Sequence, residues 1–180
     1  MTTAPLEQGT WTIDAAHTVV EFSVRHMTVA RVTGRFAAVS GEVKVPDGDP
    51  LAATVSVSID VPSVASGHPK RDELIRSADF LDAEHFPVIT FTSEPAELGA
   101  DGQWRIPGML TIKGISQPVT LHATFGGVIS HRGATRAGFS ATTTINRKDF
   151  GVSFGAVLDS GGAIVSDTVM ISLEVELVHA

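Results

Sequence analysis

From Thr18 to His26 the even positions read Thr18, Val20, Phe22, Val24 and His26, while the odd positions carry Glu21, Ser23 and Arg25. Alternation with a period of two marks a β-strand with one dry face. The pattern recurs along the chain. Val55, Val57, Ile59 and Val61 alternate with Thr54, Ser56, Ser58 and Asp60, and Val119, Leu121, Ala123 and Phe125 alternate with Thr120, His122 and Thr124. Near the end, Val165, Val169, Ile171, Leu173, Val175 and Leu177 face one way, and Ser166, Thr168, Ser172, Glu174 and Glu176 the other. One-sided strands in such number must share an interior, and whether that interior is solid or hollow separates a structural domain from a ligand carrier.

Turn chemistry divides these strands. Pro46-Asp47-Gly48-Asp49-Pro50, Gly99-Ala100-Asp101-Gly102, Gly126-Gly127 and Asp159-Ser160-Gly161-Gly162 are each expected to join two strands. The last two pairs of glycines supply positive φ for tight or bulged hairpins, so much of the sheet is expected to be an antiparallel meander. One stretch breaks the rhythm. Lys70-Arg71-Asp72-Glu73-Leu74-Ile75-Arg76-Ser77-Ala78 sets Leu74 and Ala78 four apart among good helix formers and runs on to a stop at Pro87, which predicts one short helix and an irregular connection. Such an insert is expected to cover one end of the strands, burying Leu74 and Phe80 against the opening, as packing or as a lid.

The chain of 180 residues is most simply one domain, with residues 1–10 a tail and residues 11–180 the folded unit. Thirteen basic against twenty acidic residues give a net charge of -7 with no basic cluster, so nucleic acid is not an expected partner. Cysteine is absent, which removes disulfides, thiolate ligands and cysteine nucleophiles. Met1 to Gly9 lacks the basic and apolar regions of a secretory signal, and no stretch is apolar for long enough to span a membrane. The chain as written therefore reads as cytoplasmic and without stable membrane insertion.

The inward rows hold Ala37, Gly41, Gly108, Ala123, Ala137, Ala141 and Thr143 beside the larger Phe22, Phe91, Trp104, Phe125 and Phe139. Small residues facing an axis leave volume, although small and large can equally interlock. Phe36 conflicts with an inward place, because it shares parity with Glu42 and Lys44. Of the seven histidines, His17 and His26 lie nine residues apart and point to opposite faces of a continuous strand, and His122 is on the wet parity. No HxH, HExxH, GxSxG or phosphate-loop spacing occurs, so no metal site, no cofactor and no catalytic residue is expected. Asp79, Asp82, Glu84 and His85 read as a solvated cluster. Arg71 with Asp72 reads as an anchor for the insert, and Arg147 with Asp149 before Gly151 as a structural turn. His26 closes an apolar row, where it meets either a ligand's polar head or a backbone group.

Taken together, Trp11-Thr12-Ile13-Asp14, His17-Thr18, Phe22-Ser23-Val24-Arg25-His26, Gly34-Arg35-Phe36, Arg71-Asp72-Glu73-Leu74, Ser77-Ala78-Asp79-Phe80-Leu81-Asp82, Phe86-Pro87, Ile89-Thr90-Phe91, Gly108 to Gly114, Pro118-Val119 and Asn146 to Gly151 follow one another as in the YceI-like polyisoprenoid-binding proteins, which the chain resembles from about Trp11 to Leu177. The resemblance implies an all-β fold: an extended antiparallel β-barrel, lipocalin-like, with one short helical insert over residues 11–180. It also implies a long apolar pocket for an isoprenoid or other long-chain lipid. Parity then nominates Val20, Phe22, Val24, Val57, Ile59, Phe91, Leu110, Phe125, Phe139 and Ile171 as ligand-binding, with His26 at the head group. The expected function is a non-catalytic carrier. The rival readings are a filled-barrel interaction or stress-response module, and an enzyme acting on isoprenoid quinones through His17, His26, Asp79 and Asp82. An edge strand leaves a homodimer possible.

Overall fold

The computed structural model describes residues 6–46, 49–155 and 164–179. Twelve strands form one antiparallel sheet: β1 (Gly9–Ile13), β2 (Val19–His26), β3 (Ala30–Phe36), β4 (Val39–Val45), β5 (Thr54–Asp60), β6 (Val64–Ala65), β7 (Val88–Ser93), β8 (Glu97–Leu98), β9 (Trp104–Ile112), β10 (Ile115–His131), β11 (Ala134–Asn146) and β12 (Thr168–His179). Three pairs continue one another across short breaks, β1 into β2, β3 into β4 and β5 into β6, and β8 is a short partner of β9, so the sheet makes an eight-stranded closed barrel. Closure comes from β12. Its C-terminal part pairs with β1 (Ile13 opposite Leu177) and its N-terminal part with β2 (Leu173 opposite Val20, Ile171 opposite Phe22).

Register aligns the dry faces in layers. Val57 lies opposite Phe91, which lies opposite Leu110. Ala123 faces Ala141, which faces Leu173, and Phe125 faces Phe139, which faces Val175. The alternating sequence thus becomes one continuous apolar interior, since period-two side chains of paired strands fall on the same face. Gly108 belongs to that face as a close-approach site: a Cβ there would stand 2.5 Å from the Thr92 carbonyl oxygen and 2.6 Å from Phe91 Cζ.

Several expectations shift. Gly126-Gly127 is not a hairpin turn but a β-bulge inside β10, with Gly127 at φ 125° and the register slipping between Phe125 and Gly127. The hairpin comes later, at Arg132-Gly133, both at positive φ. Phe36 is inward and buried after all, because the bend at Ala37 and Ala38 resets parity between β3 and β4; the same bend leaves Ala37 exposed rather than inward. The tail boundary at residue 10 also moves: β1 starts at Gly9, Leu6 is buried, and Glu7 offers its carbonyl to Trp11 Nε1 at 2.9 Å. The turn at Gly99 to Gly102 closes the β8–β9 hairpin, with the Gly99 amide donating to the Gln103 carbonyl at 2.8 Å. The turn residues Asp47 and Gly48, and Asp159-Ser160-Gly161-Gly162, lie outside the described residues.

The helical insert is α1 (Pro69–Arg76). Beyond Asp60 opposite Val88, β6 pairs only with β3 among the described residues. Residues 77–86 lead from α1 to the rim of the barrel, where the Lys113 ammonium donates to the Ala78 carbonyl at 3.2 Å. The anchor differs from the expected one. Asp72 accepts from the Ser66 amide and hydroxyl at 2.8 and 2.6 Å, and these bonds, with the nearby Arg76 and Arg71 charges, hold its carboxyl below the usual carboxylate range; Arg71 makes no hydrogen bond to it.

Candidate ligand-binding cavity

The inner faces do not fill the barrel. They enclose a cavity of about 640 Å3, within the usual size range of small-molecule sites. Val20, Phe22 and Val24 of β2, Val57 and Ile59 of β5, Phe91 of β7, Leu110 of β9, Phe139 of β11 and Ile171 of β12 form its walls, and His26 stands at the upper end of the β2 row. Phe125 alone among the parity-nominated residues is outside. Its ring tilts against Phe139, centroids 5.2 Å apart, and packs into the apolar cluster around Leu6, Trp11, Val45 and Leu177, where the strand bends at the Gly126-Gly127 bulge.

That cluster shuts one end. Trp11 has no exposed surface and its ring stacks on His179 at 5.0 Å. Among the described residues the opposite end is open, because residues there line the cavity and reach solvent at once: Leu74 is 40% and Phe154 44% exposed, and His68 and Lys70 are exposed as well. Leu74 therefore rims the opening and is not buried against it. Phe80, half-buried, packs its ring on Phe154 at 5.3 Å.

Arg147 builds this rim. Only 5% exposed, it donates to the carbonyls of Val152 at 2.7 Å, Phe154 at 2.6 Å, Ser166 at 3.0 Å and Val165 at 3.4 Å, and its guanidinium lies 3.5 Å from Asp167. The structural role expected of Arg147 holds, with Asp167 rather than Asp149 as its partner and with Gly151 at φ 71° ending the turn. Residues 164–166 then join the β2 tip, as the Met27 amide donates to the Ile164 carbonyl at 2.8 Å and the Ser166 amide to the Arg25 carbonyl at 2.9 Å. His26 bridges Val165 through the backbone and lines the cavity at this end.

The acid–base groups of the enzyme reading are not gathered here. His17 sits in the helical turn between β1 and β2, outside the cavity, with its Nδ1–H donating to Asp14 at 2.9 Å. Arg136 donates to Asp14 at 2.8 Å and to Glu176, so the four side chains clasp β11, β12 and the bend between β1 and β2. Hydrogen bonds from His17 and Arg136 hold Asp14 down at about 2, and Asp14 in turn raises His17. Asp14, His17 and Glu176 lie within ligand reach of one another, but Arg136 already supplies their counter-charge. Sequence spacing cannot reveal this clasp, since Glu176 and Arg136 are far from Asp14 along the chain. Asp79 and Asp82 also lie off the cavity, and Asp82 accepts from His85 Nδ1 at 2.9 Å, which raises the histidine.

Sequence reasoning missed three residues of the mouth. His68, Lys70 and Arg71 line the cavity. The signal was present, because these polar residues immediately precede Leu74 in an insert expected to cover the opening.

Comparison with known proteins places this geometry. The YceI-like domain profile matches residues 11–177. A UPF0312 protein of Shewanella baltica is 40% identical over 140 residues, 77% of this chain and 73% of the relative. The crystal structure of BcnA from Burkholderia cenocepacia superposes with a TM-score of 0.76 at 26% identity, covering 91% of this chain and 98% of that one. A domain from Saccharophagus degradans, described as polyisoprenoid binding and implicated in plant cell wall breakdown, shares the fold with a TM-score of 0.69 at 18% identity over 93% of this chain and 97% of its own.

Proposed function

The chain belongs to the YceI-like family, and from that membership and its hollow interior we propose that it carries or sequesters a polyisoprenoid or similar long-chain amphiphile. The observation that carries this reading is the cavity, about 640 Å3, walled by apolar side chains, shut at Trp11 and open at Leu74 and Phe154. A prenyl chain is a run of apolar units, and each methylene it buries contributes roughly 0.8 kcal/mol, so affinity needs a dry tunnel more than special chemistry. The chain enters tail first and leaves its head near His26. A structural neighbour described as a polyisoprenoid binding domain supports this ligand class. An isoprenoid tail fits the cavity, with Val20, Phe22, Val24, Val57, Ile59, Phe91, Leu110, Phe139 and Ile171 along its length. Transport or storage of the ligand, without chemistry upon it, is the proposed role.

Native purification followed by solvent extraction and mass spectrometry tests the proposal. A long-chain or prenylated compound at near one per protein is expected. Clean extracts, both as purified and after incubation with prenylated quinones and fatty amides, would turn the reading toward an interaction module.

A further inference from the structure

We infer that the head group received at the mouth is anionic, a carboxylate or a phosphate, and that Lys70 and Arg71 bind it; this rests on the carrier reading above. The charged residues lining the cavity are Glu21, Lys70, Arg71 and Arg147. Two of them are already committed. The Glu21 carboxylate accepts from Arg35 Nε at 3.1 Å, and Arg147 is consumed by the Val152, Phe154 and Ser166 carbonyls and by Asp167. Lys70 and Arg71 remain, and among the described residues neither forms an ion pair.

Their nearest carboxylate in sequence takes its hydrogen bonds elsewhere. Asp72 spends one oxygen on both donors of Ser66, at 2.8 and 2.6 Å. Glu73 is exposed and does not line the cavity. The imidazoles beside the two cations add donors of the same kind. His68 accepts the Arg71 amide through Nδ1 at 3.4 Å, which leaves Nε2 free to donate, and the His26 ring has no side-chain partner among the described residues. Among the described residues, a chain of net charge -7 therefore presents only cations and imidazoles as uncommitted charged and titratable groups on the cavity wall.

An anion entering there replaces lost water with charge-assisted hydrogen bonds, and the apolar walls below exclude competing solvent. A neutral head of equal size accepts hydrogen bonds from the two cations but brings no opposite charge to them, and so gains less. The arrangement thus favours acidic long-chain amphiphiles over their neutral twins with the same tail.

Paired probes that differ only in the head test this. Displacement of a fluorescent apolar dye is measured with geranylgeranyl monophosphate against geranylgeraniol, and with palmitate against methyl palmitate, all below their micellar concentrations. We expect at least one acidic probe to bind about tenfold more tightly than its neutral twin, with the advantage shrinking as salt rises. Preference for the phosphate alone would point to a phosphorylated isoprenoid, and preference for palmitate alone to a fatty acid. The double variant Lys70→Gln with Arg71→Gln should abolish the preference, the acidic probe falling to the affinity of its neutral twin. Because Lys70 is exposed, Lys70→Gln alone should fold normally and lower the preference several-fold. Equal affinity of both twins in the parent, or full acid preference in the double variant, would overturn the assignment. Binding of no probe at all would overturn the carrier reading itself, a result distinct from equal binding.

Discussion

Ala141→Phe separates a hollow barrel that holds a long chain from one that does not. Ala141 is 6% exposed, lines the cavity, and faces Ala123 on one side and Leu173 on the other. Leu173 pairs with Val20, and Val20 is six residues down β2 from His26, so this layer lies roughly 20 Å below the mouth. A phenyl ring placed there closes the lower part of the tunnel. If it displaces about four methylenes of the ligand, the loss is about 3 kcal/mol, or roughly two-hundredfold in Kd. A chain too short to reach the layer keeps its affinity. The empty protein moves the other way, because filling an apolar void gains about 0.5–2 kcal/mol and raises Tm by a few degrees. Titration with prenyl alcohols of increasing length, beside thermal melts of ligand-free protein, reads both effects. Unchanged long-chain affinity together with a raised Tm would refute the reasoning, since the ring would then occupy space the ligand never used. A Tm lowered by several degrees would refute the hollow layer, because overpacking strains a filled core. Gly108 is unsuited to this test: a side chain there meets the Thr92 backbone before it meets the cavity.

Two further outcomes follow from the rim and the clasp. Arg147→Met strands the Val152, Phe154 and Ser166 carbonyls that the guanidinium serves; the expected cost is about 3 kcal/mol, a Tm lower by roughly 6–12 °C, and faster amide exchange at Met27 and Ser166, whereas a change under about 2 °C would show the rim is held otherwise. In the clasp, the raised His17 contributes stability fully below 6.5 and loses it as pH rises through its folded value, while Asp14, lowered from 3.8 to about 2, contributes above 3.8 and loses it as pH falls toward 2. The Tm difference between parent and His17→Gln should therefore be largest between about pH 4 and 6.5 and shrink above that window; a difference independent of pH would exclude this pairing.

The alternating rows of β2, β5, β10 and β12 are legible in the sequence because the two faces of a strand differ by one residue, and a face in contact with the interior admits little but apolar side chains. The helix α1 was legible too, through its run of good helix formers, although it spans Pro69–Arg76 and leaves Ala78 beyond its end. Punctuation was less so. Positive φ serves a bulge as well as a turn, so Gly126-Gly127 looked like the end of a strand that in fact continues to His131. A two-residue bend at Ala37 and Ala38 reversed the parity of Phe36, which no local pattern announces.

What only the tertiary structure decided are relations between residues distant in sequence. The clasp joins Asp14 and His17 to Arg136 and Glu176, and Arg147 reaches across to residues 164–166, because strand register, not spacing, brings them within hydrogen-bond distance. The cavity itself belongs to this class. The same small and large side chains can interlock or stand apart, and the difference is the radius at which β12 closes on β1 and β2, a property of eight strand lines together and of none alone. Lys70 and Arg71 likewise become cavity residues only when α1 meets β6 at the rim and the carboxylates nearby are spent on Ser66 and Arg35.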